Sequence, residues 1–261
     1  MSKMVAASFP HPVVGEFAAR SGKCCYGMFN RHGGVSDGPY ATLNIGRALD
    51  DLPEAVAENR RLVKAALRLP RLLSARQVHG RDVYCLTEPL ATDTAIDAVD
   101  ALVTDLPGIG LMIQQADCQA VLLFDPVRQV IGAVHCGWRG SVQGILAETI
   151  SVMAKHYGSK PADLLAIVSP SLGPCCGEFV NFREELPPEF VPFMVRGKEK
   201  YFDFWRITEY QLMAAGMMQD HIRIEGTCTC CSGDYFSYRR ARRESGGLTG
   251  RNCSVIALRQ E

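Results

Sequence analysis

Apolar residues recur in short runs along most of the chain, and the densest lie in residues 114–141, QQADCQAVLLFDPVRQVIGAVHCGWRGS. Val121 to Phe124 and Val130 to Val134 are two such runs, joined across Asp125-Pro126. Apolar runs of this length with turn residues between them predict two buried strands paired as a hairpin. The chain turns back between the strands. Cys118, just before the first, and His135, just after the second, therefore fall at the same open end.

Similar runs predict strands at Val83 to Leu86, Asp100 to Asp105, Leu111 to Gln115, Leu164 to Val168, His221 to Glu225 and Ser254 to Leu258. Asp51-Leu52-Pro53-Glu54 has the form of a helix start, with Asp51 as cap and Glu54 completing a capping box. That helix should run to about Leu69 and stop before Pro70. Another should follow Gly140, with Val142, Ile145, Leu146, Thr149, Ile150, Met153 and Tyr157 on one stripe and Gly158 at its end. A third is expected from Arg206 to Met218 with Leu212, Met213 and Met217 facing inward. Pro187-Pro188 blocks any long helix in residues 181–200. Strands and helices alternate without repeats or linkers, and several neighbouring strands lack helical crossovers. The expected class is α/β, one domain over residues 1–261, with a mixed β-sheet layered by helices.

Composition narrows the function. The chain has 261 residues, 47% of them hydrophobic, and Lys+Arg and Asp+Glu both number 28. Such a balance gives no field toward nucleic acid or an anionic membrane. No apolar run is long enough to span a bilayer, and nothing in the pattern fixes an oligomeric state. MSKMVAASFPHPVVG carries no long apolar core between its lysine and its prolines, so no signal peptide is expected. Eleven cysteines then read as reduced thiols of a cytoplasmic protein. Six of them form the adjacent pairs Cys24-Cys25, Cys175-Cys176 and Cys230-Cys231. Thr227 to Cys231 (TCTCC) has the look of half a zinc ribbon, but no second matching cluster is evident.

Candidate chemistry gathers at the hairpin end. A thiolate and an imidazole there can bind a transition metal or form a nucleophile–base pair. His79, in the loop RQVHG, is a third donor, and His79, Cys118 and His135 together would suit Zn²⁺ with one position left open. HExxH, the deaminase HxE…PCxxC pattern, GxxxxGK[ST] and a strand-following GxGxxG are all absent. The one GxSxG string, Gly34 to Gly38, is a chance match: a glycine-rich loop precedes Ser36 and Pro39 follows the motif. The loop Arg31 to Gly38 could still hold an anion through its N–H groups with Arg31, Ser36 and Asn44. Arg139, near the start of the helix after Gly140, offers a second anion site. Arg239 or Arg240 in the basic run YFSYRRARR could also reach a phosphate.

RHGGVSDGPYATLNIG, RQVHG, DALVTD…ADC, AVHCGWRGS, SPSLGPCC and FSYRR…TGR occur in this order over nearly the whole chain. In this the chain resembles the YfiH-like family, also called the laccase-domain or multicopper polyphenol oxidase family. The resemblance implies a single α/β domain, similar in architecture to a cysteine-dependent toxin deamidase. It implies metal ligands at His79, Cys118 and His135, and phosphorolysis of purine nucleosides (adenosine, inosine, methylthioadenosine) with adenosine deamination alongside. Gln119-Ala120 after ADC, Gly177 after GPCC and Ser169 before it depart from the family's usual residues and bear on pocket shape.

The expected function is thus a zinc-dependent purine nucleoside phosphorylase, its partners a purine nucleoside and phosphate. Catalysis would rest on Cys118, His135 and His79, with phosphate at the helix after Gly140 and Arg139. Water activated at the metal would account for deamination. The rival from another class is a metal-free amidohydrolase, for instance one editing a peptidoglycan precursor, with Cys118 as nucleophile and His135 as base. Copper polyphenol oxidation is a weaker reading, because six histidines with no HxH pair fall short of several copper sites, although Cu²⁺ could occupy the triad. A metal-dependent binding module without turnover is the non-enzymatic alternative.

Overall fold

The computed structural model describes residues 13–16 and 24–260. Residues 1–12, on which the signal-peptide reading largely rests, lie outside these. Among the described residues the strands form two six-stranded sheets rather than the single sheet expected. The first contains β1 (Val13–Glu16), β2 (Cys24–Phe29), β3 (Arg71–Arg76), β5 (Thr94–Asp97), β7 (Ile109–Gln115) and β12 (Asn252–Leu258), in the order β1-β2-β12-β7-β3-β5. The second contains β4 (Val83–Leu86), β6 (Ala101–Thr104), β8 (Gln119–Asp125), β9 (Val130–Cys136), β10 (Leu165–Val168) and β11 (Ile222–Ile224), in the order β11-β10-β8-β9-β6-β4. Each mixes parallel and antiparallel pairs, in keeping with the mixed α/β class.

The sheets pack face to face because alternate side chains of their strands are apolar in both directions. Leu111, Ile113 and Ile256 from the first sheet share one buried cluster with Ala120, Leu122, Phe124, Ile131 and Ala133 from the second. The other face of β8 and β9, with Val121, Leu123 and Val134, is covered by Ile145, Leu146, Ile150 and Met153 of α3 (Ile145–Tyr157) and Leu212 of α5 (Phe204–Ala214). The outer face of the first sheet packs on Val63 and Leu67 of α1 (Pro53–Leu67). The order of layers is helix, sheet, sheet, helix. Every residue of β8 and β9 is buried as a result, so these strands read as continuous apolar runs rather than alternating ones.

Several local expectations are corrected. Asp51 does not cap α1: its Oδ2 accepts from Ser36 Oγ and Asn44 Nδ2, each at 2.7 Å, and Leu52 is the cap residue. The predicted helix after Gly140 starts earlier and breaks once. α2 (Trp138–Gln143) ends at Gly144, whose φ of +77° favours a residue without Cβ, and α3 follows. Val142 is therefore half exposed and leaves the stripe. α5 begins two residues before Arg206, where the Asp203 side chain accepts from the N–H groups of Trp205 and Arg206. Met213 lies exposed on it, while Leu212 and Met217 are buried.

Candidate active site at the open end of a hairpin

The β8–β9 register pairs Gln119 with Cys136 and Ala120 with His135. Cys118, one residue before β8, therefore stands beside His135. His79 comes from the loop between β3 and β4. Its φ of +61° is unusual for a residue with a side chain, and neighbouring contacts hold it there. Gln77 anchors this loop by a reciprocal pair to the Gln114 backbone, Nε2–H to O at 2.8 Å and N–H to Oε1 at 2.9 Å. The Asp100 carboxylate then accepts from the N–H groups of Val78, His79 and Gly80 at 2.8–3.1 Å.

The donor atoms of His79, Cys118 and His135 all lie within 4.8 Å of one another. Cys118 Sγ is 3.9 Å from His79 Nε2, and the two imidazoles meet edge to face with centroids 4.8 Å apart. His135 is buried and shares a 2.7 Å hydrogen bond between Nδ1 and Asp100 Oδ1, which turns its Nε2 toward the thiol. Gly137 closes the space behind them. A Cβ there would stand 3.0 Å from the His79 ring and 3.2 Å from Cys118 Sγ.

Electrostatics make this a charged site. Burial opposes ionisation of Cys118, but the charge and hydrogen bond of His135, with His79 behind them, outweigh it and hold the thiol down at about 6. Burial likewise opposes protonation of His135, yet the Cys118 thiolate and the Asp100 carboxylate raise it to about 9. Neighbouring Cys136 goes the other way, pushed up to about 12 by burial. Of the two adjacent thiols, only Cys118 is activated.

His79 and Cys118 face a cavity of about 580 Å³. Trp138, Phe179, Phe204 and Tyr238 line its walls, and Arg139, Arg239 and Arg242 supply positive charge. Phe179 packs against Phe204 with centroids 4.9 Å apart and meets Trp138 edge-on at 6.3 Å. Arg139 lies over the Trp138 ring, 4.3 Å from its centroid.

The remaining sequence-predicted residues are placed elsewhere. Arg31, Ser36, Asn44 and Arg240 do not line the cavity. Arg31 Nε donates to Ala41 O, and its guanidinium stacks on Phe236. Ser36 and Asn44 are buried and donate to Asp51. Arg240 donates to the carbonyls of Thr229, Cys230, Ser232 and Tyr235. The anion cradle expected at a helix start after Gly140 is also displaced, because the helix starts at Trp138 and the Ser141 N–H bonds Gly137 O inside it.

Asp100 and Arg242 are the residues that sequence reasoning left out of the site, whereas Arg239, one of the two arginines expected to reach a phosphate, does line the cavity. Asp100 opens the quoted DALVTD strand. Arg239 and Arg242 are three apart on α6 (Tyr238–Glu244), a spacing that puts them on one face. Two of the departures noted in the sequence also border the cavity. Gln119 donates to Phe204 O at 3.0 Å, and Gly177 has no room for a side chain, because a Cβ would lie 2.5 Å from Phe202 O.

Residues 25–259 match the family described as multi-copper polyphenol oxidoreductase laccase. The chain belongs to this family. It is 34% identical to purine nucleoside phosphorylase YlmD of Geobacillus stearothermophilus, over 90% of each chain. It is 35% identical to purine nucleoside phosphorylase YfiH of Shigella flexneri, over 99% of this chain and all of that one. Among solved structures, YlmD of G. stearothermophilus superposes with a TM-score of 0.81 at 31% identity, covering 96% of this chain and 100% of that one. A hypothetical protein YfiH of Bacillus licheniformis gives 0.82 at 30% identity, covering 90% and 93%. Membership of this laccase-type family supports an enzyme with a metal-binding site. No helix among the described residues is long and apolar enough to cross a membrane.

Proposed function

We propose that the protein cleaves purine nucleosides with phosphate, releasing the free base and ribose 1-phosphate, and that it holds zinc at His79, Cys118 and His135. The observation that carries this reading is the juxtaposition of those donors with a cavity walled by aromatic rings and arginines. Relatives named purine nucleoside phosphorylase support the same activity.

The donors fit zinc. They are two imidazoles and an activated thiol, His135 is oriented by a carboxylate, and Gly137, lacking a Cβ, packs against the donors without crowding them. When bound, zinc supplies Lewis acidity and a lowered pKa for water, the chemistry that deamination of adenosine at the same site requires.

The chain's own residues do the rest. Trp138, Phe179 and Phe204 offer faces and edges for a flat purine and exclude water from it. Among the described residues no carboxylate pairs with Arg139 or Arg242, and both line the cavity, so they can receive phosphate oxygens. Arg239 instead donates to Cys176 O and Glu178 O and braces the rim. Phosphate held against the ribose attacks C1′ as the bond to N9 breaks, and the purine leaves with that electron pair and takes up a proton.

Incubation with inosine, adenosine or methylthioadenosine, with and without phosphate, tests the reading by chromatography of the products. Phosphate-dependent release of free base supports phosphorolysis, and inosine from adenosine without phosphate reports deamination. Zinc-loaded protein that yields neither sinks it.

One observation favours a second reading. Cys118, His135 and Asp100 form a thiolate–imidazolium–carboxylate series, the arrangement of a cysteine hydrolase. Under it, alkylating Cys118 abolishes activity on an amide substrate and chelators leave that activity intact.

A further inference from the structure

The second zinc-ribbon half missing from the sequence lies fifty residues upstream of the TCTCC segment. Cys175 and Cys176 sit on the turn after Pro174, and Cys228 and Cys231 are spaced as C-x-x-C. Their four Sγ atoms lie within 4.8 Å of one another. Cys231 Sγ is 3.4 Å from both Cys175 Sγ and Cys176 Sγ. A tetrahedral zinc with Zn–S bonds of about 2.3 Å places its sulfurs about 3.8 Å apart, a spacing within that cluster's range.

We propose that Cys175, Cys176, Cys228 and Cys231 form a second metal site, a closed tetrathiolate that holds structural zinc apart from the catalytic triad.

Three features around the cluster suit this role. Gly173 N–H donates to Cys228 Sγ at 3.3 Å, the kind of second-sphere bond that steadies a thiolate ligand. A zinc tetrathiolate carries two net negative charges, and three arginines surround the cluster. Arg239 donates to Cys176 O, Arg240 to Thr229 O and Cys230 O, and Arg243 to Cys230 Sγ. Cys230 is buried and held by Arg243, which leaves it out of the quartet although it is adjacent in sequence to Cys231. Without a cation, four clustered thiols would repel one another as they ionise.

The position gives the metal something to do. Ser171 and Cys228 form a parallel bridge, so the two cysteine-bearing segments already run side by side. Gly177, Glu178 and Phe179 follow Cys176 directly and line the active cavity. Zinc would tie these segments together and fix one rim of the substrate pocket.

The test uses full-length protein prepared under reducing conditions, loaded with zinc sulfate and desalted. In a Cys118→Ser, His135→Ala variant, which lacks the triad, metal analysis should find one zinc per chain. X-ray absorption should find a shell of four sulfurs at about 2.3 Å. Wild type should hold two zincs. Adding Cys228→Ser and Cys231→Ser to the triad variant should remove the remaining one, and Cys230→Ala should not. A triad variant that binds no zinc, binds it with nitrogen in the shell, or carries a disulfide among these four cysteines in the reduced preparation overturns the proposal. None of these readouts uses activity, so the result stands whether or not the phosphorylase reading does.

Discussion

Asp100 and His135 are joined twice: the His135 N–H donates to Asp100 O at 2.7 Å, and the His135 imidazole Nδ1 meets Asp100 Oδ1 at the same distance. The first bond continues the register of β6 with β9 one residue beyond Ala101–Val134, and the second orients the imidazole. Strand registry thereby sets the direction of the His135 ring. Because the same carboxylate also gathers three N–H groups of the His79 loop, one buried side chain places two of the three candidate ligands.

Asp100→Asn should therefore weaken both histidines at once. Zinc affinity, measured by chelator competition, should fall by about 10–100-fold, the usual range for loss of a carboxylate behind a ligating histidine. Unchanged affinity would mean that the backbone alone orients the ring.

Cys118 should betray its ionisation in metal-free protein. Held down at about 6, it is thiolate above that pH and thiol below it. Iodoacetamide labelling, mapped by mass spectrometry, should be fast at neutral pH and slow as pH falls through about 6. In His135→Ala the inflection should move up toward the ordinary thiol value of about 8.5. Added zinc should protect the residue.

Gly137→Ala places a methyl group against the His79 ring and Cys118 Sγ, closer than ordinary van der Waals contact. The triad must spread by a few tenths of an ångström to admit it. A loss of about tenfold in zinc affinity, roughly 1.4 kcal/mol, is expected, with kcat/KM for inosine falling alongside. A stability change without either loss would place the glycine's role in folding.

Two arginines of one helix should behave differently. Arg242→Ala should raise KM for phosphate about 10–100-fold, the weight of a charge-assisted hydrogen bond of about 1.5–3 kcal/mol, with little change in KM for the nucleoside. Arg240→Ala should leave phosphate binding alone and instead lower the unfolding temperature, because four carbonyls lose their donor. Thermal melts and phosphate titrations separate the two.

The hairpin was legible because both faces of β8 and β9 are buried, which leaves an unbroken apolar run and a turn between them. Cys118 and His135 followed from that hairpin alone. What brought His79 to them, the Asp100 carboxylate reaching back from the start of another strand, is a contact between distant segments that no local period encodes. The two-sheet arrangement escaped for the same reason: short strands look alike, and β12 pairs with β2 and β7, which lie more than a hundred residues away in sequence. Asp51 has the spacing of a cap, but Ser36 and Asn44 compete for its oxygen and win. In YFSYRRARR the charges are plain, but only the helical phase of α6 tells Arg239 and Arg242 from Arg240. Cys175-Cys176 and Cys228-x-x-Cys231 are each half of a cluster that the fold completes.

The burial of β8 and β9 also sets a hierarchy of motion. Amides at the centre of such strands exchange with solvent only when the whole domain opens, so Val121 to Leu123 and Gly132 to Val134 should be among the slowest in the chain. Cys118 and His135 sit at the end of that slow element. The opposite wall, residues 177–181 and 238–242, belongs to loops and a short helix. Substitutions that reshape the pocket can then fall on the loop-and-helix wall while the strand end keeps Cys118 and His135 in register.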